Sequence, residues 1–152
     1  MTNGADEGAI RAAAQRAFTR GPEARTGVEP GAPVLVRDLR NAPSYWLVPG
    51  LEDGAPVALA RVLLDARVAT LAWLPSPAAS AVAVVTGLDE RGARATAHAL
   101  GTREPDTSVS EPVLVHDGPV GREAWRIDVA SPAGTRSVFA TGGGTYERSA
   151  ED

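Results

Sequence analysis

The sequence predicts an α+β fold, a tandem duplication in which a helix is followed by a three- to four-stranded antiparallel sheet in each half. The first observation is a repeated motif, because residues 33–38 read PVLVRD and residues 112–117 read PVLVHD. The second is that Trp46 and Trp125 lie as far apart in the chain as the two motifs do. The third is an Ala- and Arg-rich stretch ahead of each motif, which suits a helix. The alternative is two unrelated strands that both favour Val and Leu.

Each helix is predicted from an acidic start and an apolar face. Asp6 and Glu7 precede the first, since acidic side chains stabilise a helix N-terminus, and its apolar residues recur with helical spacing over residues 10–18. Asp89 begins the second helix, which is expected over residues 91–100. The expected stops are Gly21–Pro22 for the first helix and Gly101 for the second.

Strands are predicted from short apolar runs bounded by turn residues. Residues 125–129 alternate between apolar and charged side chains, which indicates a strand with one buried face. Asp53–Gly54 and the SPAG sequence at residues 131–134 are typical of hairpin turns. The expected strands are residues 34–36, 45–48, 57–64 and 68–73 in the first half and 113–115, 125–129, 136–141 and 145–148 in the second.

The chain is expected to contain two repeats, of residues 1–74 and 89–148. Residues 75–88 would be a linker or short helix, and residues 149–152 a disordered tail. Within the linker, residues 77–85 fit a helix beginning after Ser76 with Pro77 in its first turn. They also fit a strand because they are rich in Val. The sequence favours the helix slightly.

Composition excludes several classes of function. The net charge is −4, so there is no basic field for nucleic acid or for an anionic membrane. The chain has no cysteine, which excludes disulfides and thiolate chemistry. No apolar run is long enough to span a bilayer, and the first residues do not resemble a secretory signal. A cytoplasmic location is therefore expected.

The segments after each helix resemble PepSY domains, which have a cystatin-like architecture. The resemblance covers roughly residues 33–70 and 112–147. It is carried by an aromatic strand, a Gly turn and a strand ending in an Asp or Gly turn, found here at residues 45–49, 53–54, 62–65, 125–129, 134 and 138–142. The duplicated layout is also similar to that of the beta-lactamase inhibitory proteins. The resemblance implies a non-catalytic domain associated with peptidase inhibition or regulation.

No arrangement of residues points to catalysis. His116 and the adjacent Asp117 would point to opposite faces of a strand, and His98 lies in a helical pattern. Asp38 and Asp117 are interpreted as turn residues that accept backbone hydrogen bonds. The glycines at residues 142–144 are interpreted as a flexible hairpin loop, although an anion cradle is an alternative. We therefore expect no catalytic residues, no metal site and no cofactor.

An apolar strip is the best indication of a binding surface. Trp46 and Val48 are expected to face the helix, which leaves Tyr45 and Leu47 on the opposite face of the first sheet. Such a strip is covered either by another part of the chain or by a partner. Trp73 either covers a core edge or is exposed. The candidate binding residues are Tyr45, Leu47, Trp73, Arg122 and Arg126.

The preferred function is a non-catalytic module that binds a protein or peptide, as a monomer or homodimer, with no nucleic-acid or membrane partner. Strand addition at a sheet edge is one means of such binding. One alternative is a small enzyme or small-molecule binder with a pocket between helix and sheet, lined by His116, Asp117 and Arg122. Another is a self-assembling structural protein.

Overall fold

The computed structural model describes residues 6–20 and 24–148, which form three helices and ten strands. These residues divide into two compact units, with the boundary between Ala81 and Val82. The first unit contains α1 (Glu7–Thr19), β1 (Glu29–Pro30), β2 (Val34–Arg37), β3 (Pro43–Glu52), β4 (Ala55–Leu63) and β5 (Val68–Trp73). The remaining elements are α2 (Ala81–Thr86), α3 (Glu90–Arg103), β6 (Ser108–Val109), β7 (Val113–His116), β8 (Glu123–Ser131), β9 (Gly134–Thr141) and β10 (Gly144–Glu147).

The predicted fold class is wrong. The fold is dominated by strands, with 41% of the described residues in strands and 24% in helices, and is not a helix with a three- to four-stranded sheet occurring twice. The described part of each unit has five strands, and α2 is an additional helix. Strands β1 and β6 are two residues long, so they have no periodicity that a sequence could display. They form because β3 and β8 offer them hydrogen-bonding partners.

The sheet of the first unit is antiparallel and has the order β2-β3-β4-β5, with β1 also paired to β3. The predicted turn between β3 and β4 is confirmed, because Glu52 pairs with Ala55 across Asp53 and Gly54. Both turn residues have positive φ, of 51° and 82°, which is the geometry of the tight hairpin turn that Asp-Gly favours.

Helix α1 covers one face of this sheet. The helix begins at the predicted acidic start, where the Asp6 carboxylate caps it by accepting a hydrogen bond of 2.8 Å from the Ala9 amide. The expected stop at Gly21–Pro22 lies outside the described residues, and the helix itself ends at Thr19. The core between helix and sheet comprises Ile10, Ala13, Ala14, Phe18, Val28, Val48, Val57, Ala58, Ala60 and Val62. Trp46 and Trp73 are partly buried against this core.

The sheet of the second unit is also antiparallel, in the order β10-β9-β8-β7, with β6 paired to β8. The predicted alternation on β8 is confirmed, because Trp125, Ile127 and Val129 are buried. Helix α3 begins at the predicted acidic start, where the Asp89 carboxylate caps it by accepting a 2.7 Å hydrogen bond from the Gly92 amide. The predicted stop at Gly101 is wrong, because the helix continues to Arg103. One glycine inside a helix costs only about 1 kcal/mol relative to alanine, so it does not by itself end the helix.

The helical alternative for the linker is confirmed over Ala81–Thr86, a shorter span than expected. The helix ends where the Thr86 hydroxyl donates to the Val82 carbonyl at 2.9 Å and Gly87 turns with a φ of 80°. Gly87 packs directly on Gly142, since a Cβ on Gly87 would lie 2.7 Å from the Gly142 Cα. The Gly142 amide donates to the Thr86 carbonyl at 2.8 Å. The hairpin predicted at residues 142–144 is confirmed, because Gly144 pairs with Thr141, and this contact holds the turn at Gly142. The expected disordered tail, residues 149–152, lies outside the described residues.

Candidate binding site

Strand β5 is the outermost strand of the first unit's sheet, and within the described chain it pairs only with β4. Its sequence, VATLAW, contains no charge, proline or glycine. The first five residues are exposed, and Val68 and Leu71 are each 37% exposed. Edge strands usually carry charged residues, proline or bulges that prevent pairing with another chain. Apart from one irregularity in its pairing with β4, between Arg61 and Val62, β5 has none of these.

The two faces of β5 differ in what they contact. Trp73 pairs with Ala58 and Leu71 with Ala60, so both side chains lie on the face that α1 covers. Trp73 packs edge-to-face on Phe18 of α1, with ring centroids 6.3 Å apart. Leu71 lies two residues before Trp73 in the strand and remains exposed. The helix therefore covers one end of β5 and leaves the middle of the strand accessible.

Arg25 adds a positive charge to the covered end of β5. Its guanidinium lies 4.8 Å from the centre of the Trp73 ring, which is a cation–π contact. Arg25 itself is exposed. Both alternatives expected for Trp73 therefore apply: the side chain covers the edge of the core, and it also forms part of a surface. Arg25 was not among the predicted site residues, and nothing in its local sequence indicates the contact.

Tyr45 and Leu47 lie on β3 and are fully buried. A partner would reach these two side chains only if they became exposed. Trp46, between them, is half-buried against the helix-side core, as expected. Of the two aromatic positions proposed for binding in the first unit, only Trp73 contributes to a surface.

The two predicted arginines lie on the second unit, and both face carboxylates. Arg126 forms an ion pair of 3.0 Å with Asp128, the next outward residue on β8. Arg122 is exposed, and its guanidinium lies 4.0 Å from the Asp117 carboxylate. Arg122 therefore lies beside Asp117, which is buried, and Arg126 is paired with Asp128 on the surface of the strand.

The polar cluster centres on Asp117, which follows β7 and is 2% exposed. The Tyr146 hydroxyl of β10 donates a 2.6 Å hydrogen bond to it, and Arg148 donates another. Burial alone would raise the pKa of the Asp117 carboxyl, but the hydrogen bonds from Tyr146 and Arg148 together lower it below its usual 3.8. Burial and the neighbouring carboxylate raise the pKa of Tyr146 to about 12. At neutral pH the pair is therefore an ionised acid and a neutral phenol.

This cluster corrects the interpretation of Asp117 as a turn residue that accepts backbone hydrogen bonds, because its side chain binds Tyr146 and Arg148. The interpretation is confirmed for Asp38, whose carboxylate accepts from the Arg40 and Ala42 amides at 2.9 Å. The sequence could not reveal the contact with Tyr146, since the two residues are far apart in the chain. His116 donates from Nδ1 to the Gly118 carbonyl at 2.8 Å.

A cavity of about 180 Å³ lies at the turn between β8 and β9, lined by Ser131, Ala133, Gly134, Thr135 and Arg136. It is smaller than the 300–1,000 Å³ typical of small-molecule sites. Its only charged lining residue, Arg136, forms a bidentate pair with Glu104 at 2.7 and 3.0 Å. The cavity therefore offers little for an anionic ligand to bind.

Comparisons of the chain with protein-family models, with curated proteins and with solved structures found no match. Among residues 6–20 and 24–148, no cluster of three or more His, Asp or Glu side chains could hold a metal ion. None of the helices in the same residues combines the length and the apolar character needed to cross a bilayer.

Proposed function

We propose that this protein is a non-catalytic module that binds an extended segment of a protein or peptide by strand addition to β5. The single observation that carries the proposal is the exposed, uncharged edge of β5. An extended chain placed beside this edge would satisfy the backbone amides and carbonyls that point away from β4. Its alternate side chains would lie beside Leu71 and Trp73.

We assign the Asp117 cluster to stability and not to reaction chemistry. Its carboxylate is ionised and held by Tyr146 and Arg148, and the hydroxyl of Tyr146 is held in turn by that carboxylate. A general acid or base works best when its pKa lies near the working pH, and both pKa values are displaced away from neutrality.

The proposal has three further parts, which rest on the sequence. The resemblance to PepSY-like domains supports a role in inhibiting or regulating a peptidase. The absence of cysteine fits a cytoplasmic location. The protein would act as a monomer or a homodimer, and the partner would be a protein or peptide and not a nucleic acid or a membrane.

Substitution of Leu71 by Lys tests the proposal, because a charge on the edge opposes strand addition. The probes are fluorescein-labelled eight-residue peptides in which Val or Ile alternates with Thr, measured by fluorescence anisotropy. Leu71→Lys should weaken binding about two- to five-fold, the effect of losing a good cross-strand pair. Val120→Lys is the matched control, since Val120 is 50% exposed and lies in the second unit.

Hydrogen exchange supplies the second readout. Bound peptide should slow exchange of the β5 amides of the wild-type protein. If no peptide binds, or if binding is equal in both lysine variants, the proposal is wrong. The β5 edge could also be occupied by a second copy of the chain, and sedimentation of the free protein tests this. A dimer that dissociates in Leu71→Lys would show that a second copy occupies the edge.

A further inference from the structure

We propose that the β5 edge selects a peptide that carries an acidic residue opposite Trp73 and an apolar residue opposite Leu71. This inference rests on the proposed function and names the chemical class of its ligand, an acidic extended segment of a partner protein. Three features of the first unit carry it: the register of the sheet, the position of Arg25 and the exposure of Leu71.

The register defines where each peptide side chain would lie. Gly50 pairs with Ala58, and Ala58 pairs with Trp73, so the three residues form one row across the helix-covered face. Phe18 lies over this row, because its Cζ is 3.1 Å from the position that a Cβ on Gly50 would occupy. An added strand continues the row by one residue, which would be the neighbour of Trp73 on the same face.

Arg25 determines the chemistry at that position. Directly opposed residues of adjacent strands have Cβ atoms about 4.5–5.5 Å apart. A side chain opposite Trp73 would therefore lie beside both the indole and the guanidinium that rests on it. Within the described residues, no carboxylate forms an ion pair with Arg25. A Glu side chain at this position would supply one.

The other charges along β5 are compensated or lie on the opposite face. Asp65 and Arg67, in the turn before the strand, form an ion pair of 2.6 Å with each other. Arg61 pairs with Thr70, and its guanidinium lies 3.4 Å from the Thr70 hydroxyl. Because Thr70 alternates with Leu71, that contact is on the face away from α1. Arg25 is the positive group that lies against Trp73 on the helix-covered face.

Leu71 determines the second position of the motif. It belongs to the next row on the same face, formed by Val48, Ala60 and Leu71. Two members of the row are fully buried and Leu71 is exposed, so an apolar side chain beside it would extend the core. The acidic and apolar residues are therefore two positions apart. The acidic residue comes first in an antiparallel peptide and second in a parallel one.

The test compares eight-residue peptides that have Glu or Gln two positions before, or two positions after, a central Ile. Fluorescence anisotropy should show that the wild-type protein binds the Glu peptide about two- to five-fold more tightly, the range of an exposed ion pair. Arg25→Gln should make the two affinities equal, and Arg25→Lys should keep the preference. The matched control Arg91→Gln changes an exposed arginine of α3 and should leave the preference intact.

A charge reversal gives a further check on the contact. Arg25→Glu should prefer a peptide with Lys in place of Glu, which a merely structural effect of Arg25 would not produce. If wild-type protein binds the Glu and Gln peptides equally while Leu71→Lys weakens both, the acidic preference is wrong and strand addition stands. If neither peptide binds, strand addition itself is wrong.

Discussion

The Tyr146 hydroxyl lies 2.6 Å from the Asp117 carboxylate and attaches the last described strand of the second unit to the end of β7. Tyr146 also stacks on Phe139 of β9, with ring centroids 5.4 Å apart. The phenol thus contributes both packing and a hydrogen bond to a charged group. Because Asp117 is almost completely buried, water cannot replace that bond.

Tyr146→Phe should lower the free energy of unfolding by about 1–3 kcal/mol, because the buried carboxylate loses a donor while the ring stacking remains. Denaturant unfolding measures the change. The effect should be smaller in an Asp117→Asn background, since the two residues interact directly. Thr145→Ser, at an exposed neighbouring position, is the control and should change stability by less than about 0.5 kcal/mol. Additive effects of the two substitutions would contradict the contact.

The same pair predicts a loss of stability in alkaline solution. The pKa of Tyr146 is about 12 in the folded chain and near 10 in the unfolded chain. The stabilisation is fully present below pH 10 and decreases as the pH rises through 12, because only the unfolded state releases the proton in that interval. The stability difference between wild type and Tyr146→Phe should therefore shrink between pH 10 and pH 12. A constant difference would show that the phenol is not held by Asp117.

Trp125→Ala should destabilise the second unit by about 3–5 kcal/mol, because a large side chain is removed from the core. The indole also donates a 2.9 Å hydrogen bond to the Leu88 carbonyl. Trp125→Phe keeps most of the packing and loses that bond, so its cost should be clearly smaller. Thermal unfolding followed by circular dichroism compares the two variants. A loss below about 1 kcal/mol for the alanine variant would contradict the core assignment.

Leu47→Asp should strongly destabilise the folded protein, since it places a charge where the side chain is fully buried. Leu71→Asp introduces the same group at an exposed position and should leave the fold intact. Circular dichroism and proteolysis of the two variants test this contrast. A well-folded Leu47→Asp protein would show that the Leu47 position is accessible in solution.

Gly87→Ala should cost more than about 2 kcal/mol for two reasons. The φ of 80° is unfavourable for alanine, and the new Cβ would lie 2.7 Å from the Gly142 backbone. Gly118→Ala separates the two effects, because Gly118 has a φ of 90° and open space around it. Equal unfolding free energies for the two variants would mean that the contact with Gly142 is absent in solution.

The proposed binding site was only partly predictable. Strand β5 was expected over the same residues that form it, and Trp73 was among the candidates. The importance of the strand's edge was not apparent, because a sequence does not show which strand is outermost. Arg25 was missed, because its contact with Trp73 joins two residues that are far apart in the chain.

Local sequence was sufficient to predict the features that depend on neighbouring residues: the acidic helix starts at Asp6 and Asp89, the turn at Asp53–Gly54 and the alternation along β8. Each depends on hydrogen bonds or side-chain directions within a few residues, so local chemistry is sufficient. The folded chain is needed to explain why Tyr45 and Leu47 are buried, why the shortest strands form, and why Asp117 contacts Tyr146. Those outcomes depend on contacts between segments far apart in the chain, because burial and long-range hydrogen bonds exist only after the chain has folded.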